Sequence, residues 1–333
     1  MKAFQVSKYG KKEKLQSMDV ANPTLAQDEV LIQVHAAGVN LLDSKIKEGE
    51  FKLILPYKTP FTLGHDVAGV VIQIGKGVTM FKIGDEVYAR PRDFRIGTFA
   101  ELVAVHEDDI ALKPKNLTME EAASIPLVGL TAWQVLVERA NLKKGQKVFI
   151  QAGSGGVGTF AIQLAKHIGA YVATTTSADN FELVKGLGAD VVIDYKKDDF
   201  EKILKEYDVV LNSQNAETLE KSAGILKRGG KVVSISGPAD IDFAKDIKAN
   251  LLVKIATLFL SRKIRRLAKK LGVQYSFLFM KAQGEQLSQI TSLIEAGIIK
   301  PVIDKVFPFT QTNEALEYVE AGRSKGKVVI KVR

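Results

Sequence analysis

The stretch VFIQAGSGGVGTFAIQLAKHIGA, residues 148–170, decides the fold class. A short apolar run leads into Gly153, Gly155 and Gly158, which have the spacing G-x-G-x-x-G, and a helical pattern follows. In such a loop the first glycine makes a tight turn, the second lets the backbone approach a pyrophosphate, and the third lets helix pack on strand. Free N–H groups at the helix N-terminus face the anion. The stretch predicts a dinucleotide site formed by Gly153, Ser154, Gly155, Gly156, Val157 and Gly158.

Short apolar strands alternate with helical patterns through the residues that follow this loop. The predicted strands are 147–152, 171–176, 190–195, 207–213, 231–236 and 275–280. The predicted helices between them are 159–168, 181–187, 200–206 and 217–226. This alternation is typical of right-handed βαβ units, so we expect a doubly wound parallel sheet of the Rossmann kind.

The first 120 residues have a different rhythm, with short alternating strands separated by turns, which is typical of a β-barrel-like domain. The tail repeats this rhythm in KPVIDKVFPF (300–309) and KGKVVIKV (325–332), which flank a short helical stretch. These two strands have no alternating helix that would fit the parallel sheet, so we expect them to return to the first domain. The predicted fold class is α/β, with a barrel domain at 1–120 and 299–333 and a nucleotide domain at 121–298.

Composition limits the location and the chemistry. The chain has 333 residues and no cysteine, which rules out disulfides, iron–sulfur clusters and thiolate-bound zinc and fits a reducing compartment. The start, MKAFQVSKYGKKEKL (1–15), lacks the continuous apolar run of a signal peptide. No apolar run approaches the roughly 18–20 residues that a bilayer span needs. We therefore expect a cytoplasmic protein.

The formal net charge is +9, and its densest basic segment is KIATLFLSRKIRRLAKKLG, residues 254–272. Its apolar residues recur at helical spacing, which predicts a basic amphipathic helix. The apolar positions are Ala256, Leu260, Ile264, Leu267 and Leu271. Three interpretations stay open at this point: a solvated cover over the cleft, a dimer element, or a peripheral membrane contact. The charge also permits nucleic-acid binding, but the sequence has no aromatic-rich RNA motif.

The second predicted strand runs into ATTTSADNF, residues 173–181, where the choice between NADH and NADPH is made. A site for NADH places a carboxylate about 20 residues beyond the glycines, where it accepts from the ribose hydroxyls. In this chain that place falls near Ser177, and a hydroxyl leaves room for a 2′-phosphate. The sequence thus favours NADPH, although Asp179 two residues later leaves NADH open. Tyr195 and Lys196 are candidates for contacts with adenine and phosphate.

Motifs along nearly the whole chain, taken together, resemble the medium-chain dehydrogenase/reductase superfamily. They include HAAGVNLLDSKIKEG (35–49), LGHDVAGVV (63–71), AASIPLVGLTAWQVL (122–136), QAGSGGVG (151–158), LGADVVIDY (187–195) and GKVVIKV (326–332). Within that superfamily they resemble the zinc-independent quinone oxidoreductases, which include ζ-crystallin-like enzymes and plant enone and alkenal reductases. The resemblance implies a GroES-like catalytic domain, a Rossmann domain that binds NADP(H), and a homodimer.

The resemblance also bears on zinc. Zinc-bearing relatives have a cysteine ligand at the place that Asn40 holds here, whereas the histidine–acid pair persists as His65 and Asp66. The stretch PRDFRIG (91–97) leaves no room for a structural zinc lobe. One imidazole and one or two carboxylates hold zinc weakly without a third strong ligand. We therefore expect no metal, with His65 as a hydrogen-bonded residue, and regard a zinc-type alcohol dehydrogenase as the less favoured alternative.

Without a Lewis acid, alcohol oxidation is difficult, whereas hydride delivery to a conjugated acceptor remains accessible. The expected activity is NADPH-dependent reduction of quinones or α,β-unsaturated carbonyls. By resemblance, Asn40 and Asp43 lie at the catalytic site, and Thr131 meets the nicotinamide. A turn residue and a helix cap are the plainer interpretations of Asn40 and Thr131. The main alternative function is a non-catalytic NADPH-binding protein of the ζ-crystallin type.

Further candidates follow from their positions. By resemblance, the backbone around Phe279 and Met280 binds the carboxamide of the nicotinamide. Ser213 and Ser236 end two predicted parallel strands, and ligands bind at the carboxyl ends of such strands. Weaker candidates for the acceptor pocket are Tyr9, Lys45 and Tyr57.

Overall fold

The computed structural model describes all 333 residues, Met1–Arg333. It divides into two compact units. The first unit comprises Met1–Leu130 and Lys281–Arg333, and the second unit comprises Thr131–Met280. No helix combines the length and the apolar composition that a bilayer crossing requires.

The strands are β1 (Lys2–Val6), β2 (Gln16–Asp19), β3 (Glu29–Val39), β4 (Phe61–Thr62), β5 (Asp66–Ile74), β6 (Glu86–Ala89), β7 (Leu102–His106), β8 (Ile110–Leu112), β9 (Lys147–Ile150), β10 (Tyr171–Thr176), β11 (Val191–Asp194), β12 (Tyr207–Asn212), β13 (Leu226–Ser234), β14 (Gln274–Phe277), β15 (Ile303–Pro308) and β16 (Lys327–Lys331). The helices are α1 (Leu41–Glu48), α2 (Met119–Ala123), α3 (Pro126–Trp133), α4 (Gly156–Ile168), α5 (Phe181–Gly186), α6 (Phe200–Ile203), α7 (Ala216–Gly224), α8 (Ile241–Asp246), α9 (Leu251–Leu260), α10 (Arg262–Leu271), α11 (Gly284–Glu295) and α12 (Thr312–Glu320).

The second unit is built on a six-stranded sheet with the order β11-β10-β9-β12-β13-β14. Every neighbouring pair is parallel. The chain builds outward from β9 to β11 and then crosses to β12 on the other side, which is the doubly wound arrangement. The predicted parallel sheet is confirmed. The topological switch lies between β9 and β12, where the chain leaves these neighbouring strands towards opposite edges of the sheet.

Several predicted helices differ from those observed. Helix α6 ends at Ile203, three residues before its predicted end. Helix α7 ends at Gly224, because Leu226 already pairs with Tyr207 at the start of β13. The prediction of a single amphipathic helix over residues 254–272 is wrong. Residues 251–271 form two helices, α9 and α10, that meet at Ser261. Of the expected apolar stripe, Ile264 is buried, whereas Leu260 is exposed.

The first unit contains a seven-stranded sheet whose path is β15-β16-β3-β5-β6-β8, with β7 paired to β3. A smaller sheet joins β2, β1 and β4. Residues 328–331 of β16 pair antiparallel with residues 36–39 of β3. The C-terminal tail therefore returns to the first unit, as its strand pattern indicated. The valine and isoleucine side chains of β16 are buried, which explains why the tail is apolar.

Helix α11 lies in the first unit, whereas the sequence had assigned residues 121–298 to the nucleotide domain. The Tyr88 hydroxyl donates to the carbonyl of Leu287 over 2.7 Å. A Cβ atom on Gly284 would lie only 2.2 Å from the carbonyl oxygen of Ile110 in β8. The side of α11 that carries these residues is therefore packed tightly on the sheet of the first unit. Periodicity alone does not reveal which domain such a helix packs against.

Gly69 lies in β5 opposite Val34, next to an irregularity in the register with β3. A Cβ atom at Gly69 would lie 2.0 Å from the carbonyl oxygen of Gln33. The two backbones approach so closely that only glycine fits at this position.

We predict that Gly69→Ala lowers the free energy of unfolding by about 3 kcal/mol, because backbone must move to accept the methyl group. The matched control is Gly186→Ala in α5, where an added Cβ meets nothing within 4 Å. That change should leave stability unchanged or raise it by up to about 1 kcal/mol, as expected for alanine in a helix. Urea unfolding followed by circular dichroism measures both. Equal midpoints for the two variants would contradict the packing assigned to Gly69.

Candidate active site

The glycine loop of the second unit connects β9 to α4. Ala152 has a φ of 50°, which turns the chain sharply after the strand. The N–H of Gly153 donates to the carbonyl of Thr175 over 2.9 Å, so the loop is tied to the end of β10. Gly155 is the N-cap of α4, and no side chain caps that helix. The first N–H groups of α4 thus lack a side-chain acceptor, as expected where an anion is to bind.

The three glycines of the motif have different surroundings. A Cβ atom added at Gly153 would lie 2.1 Å from the hydroxyl oxygen of Thr174. A Cβ atom added at Gly158 would lie 2.3 Å from the carbonyl oxygen of Ala152. A Cβ atom added at Gly155 would have a single neighbour within 4 Å, the carbonyl oxygen of Ala152 at 3.3 Å. The first and third glycines therefore serve close packing, and the second leaves space above the helix. This arrangement fits the pyrophosphate of a dinucleotide, which the sequence assigned to residues 153–158.

Neutral polar groups lie beside the loop at the end of β10. The Ser154 hydroxyl accepts from the Thr176 hydroxyl over 2.8 Å and from the Asn180 amide over 3.3 Å. The same Asn180 amide donates to the Ser177 hydroxyl over 3.1 Å. The amide oxygen of Asn180 is buried without a partner. Asp179, the carboxylate that left NADH open, is exposed to solvent. The groups next to the glycine loop are therefore hydroxyls and an amide.

A buried amide network, which sequence reasoning missed, connects the carboxyl ends of the central strands. The Asn212 amide donates to the side-chain oxygen of Gln151 over 2.7 Å, and the Ser234 hydroxyl donates to Asn212 over 2.6 Å. The Ser213 N–H also donates to Gln151, and the Ser236 hydroxyl donates to the carbonyl of the neighbouring Gln214. The network brings Ser213 and Ser236 to one edge of the sheet. The sequence signal for this network was a polar residue at the end of an apolar strand, as at Asn212 in β12 and Ser234 in β13.

The other candidates of the second unit are more scattered. Tyr195 follows β11 and is 61% exposed. Phe279 and Met280 follow β14, and the Phe279 ring centroid lies 5.6 Å from that of Phe243. Thr131 is buried on α3.

In the first unit, Asn40 and Asp43 lie together at the start of α1. The backbone N–H of Asn40 donates to Asp43 over 2.8 Å. The second oxygen of Asp43 lies 2.6 Å from Nδ1 of His65. The side chains of Asp43 and His65 are fully buried, and Nε2 of His65 has no partner. The imidazole is thus oriented by Asp43, as expected for a hydrogen-bonded histidine.

Lys327 completes this buried cluster, although the sequence analysis did not single it out. Its ammonium donates to Asn40 over 2.5 Å, to Asp66 over 3.1 Å and to the carbonyl of Val39 over 3.1 Å. The Asn40 amide donates to the same Asp66 oxygen over 2.9 Å. The second Asp66 oxygen accepts from the backbone N–H of Leu127 over 2.7 Å. The sequence signal for Lys327 was its position as the first residue of the apolar strand KVVIK.

Zinc does not fit this cluster. Both oxygens of Asp66 already accept hydrogen bonds, and the amide of Asn40 is held on both sides. No three histidine, cysteine, aspartate or glutamate side chains are grouped so that they could hold a metal ion. Zinc in proteins needs three or four such donors, of which thiolate and imidazole are the strongest.

Of the weaker pocket candidates, two lie together and one does not. The Tyr9 hydroxyl donates to the carbonyl of Tyr57 over 2.6 Å, and the Tyr57 ring stacks on Phe61 with centroids 5.0 Å apart. Burial raises the pKa of Tyr57 to about 12, so its phenol is neutral at physiological pH. Lys45 instead pairs with Glu50 at 3.3 Å on the surface.

We predict that Gly155→Ala weakens NADPH binding at least about tenfold while leaving the thermal midpoint close to that of the parent protein, because its methyl group enters the space left for the pyrophosphate. Gly158→Ala is the contrasting variant, and it should lower the thermal midpoint, because its Cβ meets backbone at 2.3 Å. Quenching of NADPH fluorescence and a thermal melt measure the two effects. Parental affinity in Gly155→Ala would contradict the placement of the cofactor.

We also predict that Lys327→Met destabilises the protein by about 3–5 kcal/mol, because Asp66 then keeps a buried charge without its cation. The double variant Lys327→Met/Asp66→Asn should recover part of this loss. Lys331→Met is the control in the same strand, since its 57% exposed side chain pairs with Glu120 at the surface. It should cost less than about 1 kcal/mol. Equal losses in Lys327→Met and Lys331→Met, measured by urea unfolding, would rule out this ion pair.

Comparisons with known proteins agree with both units. Residues 26–115 match the family described as the alcohol dehydrogenase GroES-like domain, and residues 187–330 match the family described as zinc-binding dehydrogenase. The chain is 37% identical to the mitochondrial NAD(P)H oxidoreductase RTN4IP1 of Homo sapiens, across 100% of this chain and 89% of that protein. It is 36% identical to the chloroplastic NADPH-dependent alkenal/one oxidoreductase of Arabidopsis thaliana, across 99% of this chain and 79% of that protein.

Among solved structures, the quinone oxidoreductase from Coxiella burnetii matches with a TM-score of 0.88 at 31% identity, and the match covers 100% of this chain and 99% of that one. The predicted fold class, with a GroES-like domain and a Rossmann domain, is confirmed. The chain belongs to the medium-chain dehydrogenase/reductase superfamily, in its quinone oxidoreductase and enone reductase branch, and is a nicotinamide-dependent oxidoreductase.

Proposed function

We propose that the chain uses NADPH to reduce quinones or α,β-unsaturated carbonyls without a metal ion. One observation carries this proposal: the polar atoms of Asn40 and Asp66 are engaged in internal hydrogen bonds, at the place where zinc-bearing relatives bind their metal. The chain therefore combines a dinucleotide cradle with a donor set that does not suit zinc. The names of the alkenal/one oxidoreductase and the quinone oxidoreductase support this choice of acceptors.

The acceptor class follows from the chemistry that remains without a Lewis acid. When bound, NADPH supplies a hydride. A quinone or an enone accepts the hydride at an electron-poor carbon, and the displaced electron pair delocalises onto a carbonyl oxygen. Solvent supplies the proton that completes the reduction. The chain then has to bind the pyrophosphate on the N–H groups of the glycine loop, orient the acceptor and exclude water. Oxidation of a saturated alcohol requires loss of its hydroxyl proton, which a metal ion promotes. The side chains around Asn40 do not suit such an ion.

We propose NADPH rather than NADH because the groups beside the glycine loop are neutral. Ser154 and Ser177 present hydroxyls that can donate to a 2′-phosphate, and the nearby Asp179 is exposed. A carboxylate in contact with the ribose would repel that phosphate. The net charge of +9 also favours the more anionic cofactor. Tyr195 is proposed to contact the adenine.

Asn40, Asp43 and Thr131 remain our proposed catalytic residues. In this structure the amide of Asn40 donates to Asp66, so donation to a substrate oxygen would have to replace that bond. Lys327 donates to the amide oxygen of Asn40, and Asp43 accepts from its backbone N–H. Asn40 is therefore held in one orientation, in which we propose that it positions the acceptor. The backbone around Phe279 and Met280 is proposed to bind the carboxamide, and Ser213 and Ser236 to line the cofactor cleft.

We propose a homodimer and a cytoplasmic location, the former from the family and the latter from the absence of cysteine. The names of two relatives place them in mitochondria and chloroplasts, so cell fractionation is the test of location. Peripheral membrane contact through residues 254–272 also belongs to the proposal, because lipid-soluble quinones reside in bilayers.

We predict that the purified protein oxidises NADPH with a quinone, an enone or an alkenal, and that kcat/KM is at least about tenfold lower with NADH, since the ribose site lacks a carboxylate. Prolonged dialysis against a chelator should leave the rate unchanged. The loss of nicotinamide absorbance measures both, and Gly155→Ala is the control for turnover at the proposed site. Turnover with none of these acceptors would favour the non-catalytic NADPH-binding protein, and loss of activity on chelation would overturn the metal-free reaction.

A further inference from the structure

Helix α9, residues Leu251–Leu260, reverses the usual arrangement of a surface helix. Its one buried residue is a threonine, Thr257, whereas its large apolar side chains face solvent. Leu251, Leu252 and Phe259 are 71%, 77% and 68% exposed. Soluble proteins rarely leave such a contiguous apolar face uncovered unless it binds something.

Five of the exposed apolar residues form one face of α9, and Leu260 lies outside that face. At 3.6 residues per turn, Leu251, Leu252, Ile255, Leu258 and Phe259 fall within about a third of the helix circumference. The helix is regular and well capped, since Asn250 accepts from the N–H of Val253 over 3.0 Å. The Arg265 guanidinium donates to the carbonyl of Leu258 over 3.0 Å at the other end. The apolar face therefore belongs to a formed helix.

Helix α10, residues Arg262–Leu271, follows after the single residue Ser261 and carries a basic face. Ile264 and Ala268 are buried in the core of the second unit. Arg262, Arg266, Lys269 and Lys270 fall on the opposite side of the helix and are exposed. Of the basic residues on this side, Lys263 pairs with Glu220 over 2.6 Å. Residues 251–272 contain no aspartate or glutamate. An uncovered apolar helix is therefore joined directly to a helix whose outward face is entirely cationic.

We propose that α9 and α10 form an interfacial anchor for an anionic lipid bilayer. The apolar face of α9 enters the boundary between headgroups and acyl chains, and the basic face of α10 binds the anionic headgroups. Amphipathic helices with basic flanks bind membranes through these two contributions, and the electrostatic one weakens with salt. This inference rests on the membrane contact proposed above and names the residues and the lipid class.

Charge favours a bilayer over a second copy of this chain. A symmetric dimer through α9 would bring two unneutralised basic faces close together, whereas an anionic surface neutralises them. Nucleic acid would neutralise the charge as well, but it would leave five large apolar residues of α9 in water. Of these three occupants, the anionic lipid surface is the one that suits both helices at once.

The test is sedimentation of the full chain with phosphatidylcholine vesicles, with and without phosphatidylglycerol. We expect at least about tenfold stronger binding to the anionic vesicles, lost as salt is raised. Leu252→Ser/Phe259→Ser should weaken binding to anionic vesicles at least about tenfold, and Arg266→Glu/Lys270→Glu should abolish the preference for them. The matched controls are Ile203→Ser and Lys202→Glu/Lys205→Glu, which alter exposed apolar and basic residues elsewhere in the second unit. Both controls should bind like the parent.

Turnover of a water-soluble quinone separates this inference from the proposed reaction. All variants should keep parental rates in the absence of vesicles, because none of the changed residues lies in the proposed site. Equal binding of parent and α9 variant to anionic vesicles would overturn the anchor, even if turnover persists. Conversion of a parental dimer to a monomer by Leu252→Ser/Phe259→Ser, seen by light scattering, would reassign α9 to a subunit interface. Tighter binding of the parent to single-stranded RNA than to vesicles would reassign α10.

Discussion

The buried ion pair between Lys327 and Asp66 holds the cluster around Asn40 in the first unit together. Lys327 comes from the C-terminal strand β16, and Asp66 begins β5, so the pair joins distant parts of the chain. Asp66 also accepts from the N–H of Leu127 at the start of α3, and Lys327 orients Asn40. Because a buried charge without a partner is strongly destabilising, each group requires the other. The orientation of Asn40 follows from this requirement.

The same ion pair bears on the missing metal. At the place where the family resemblance predicts the zinc of zinc-bearing relatives, this chain has an amide at position 40 and a lysine ammonium bound to the acid at position 66. The positive charge is supplied by the chain itself and is satisfied by three internal acceptors. An amide and an ammonium that are already bound to internal acceptors do not polarise an alcohol as an open metal site does. Conjugated acceptors suit such a site because they stabilise the incoming charge themselves.

The second unit combines a tightly packed glycine loop with a surface helix, α9, that is largely apolar and exposed. Its glycine loop depends on backbone contacts so close that Gly153 and Gly158 admit no Cβ atom, whereas Gly155 leaves space. At the other extreme, α9 exposes most of its apolar side chains. The first feature fits a bound dinucleotide, and the second is the surface that the proposed lipid anchor would cover. A nicotinamide-dependent enzyme that takes its acceptor from a bilayer would have a use for both.

The sequence by itself determined the parallel sheet, the glycine loop and the superfamily, because these depend on local periodicity and on the fixed spacing of Gly153, Gly155 and Gly158. It also determined that thiolate zinc is absent, since no cysteine is present. Only the tertiary structure decided that α11 packs in the first unit, that Lys327 binds Asp66, and that residues 254–272 divide at Ser261. These features depend on contacts between residues far apart in the chain, or on which side of a helix the core covers. Neither kind of information is present in local periodicity.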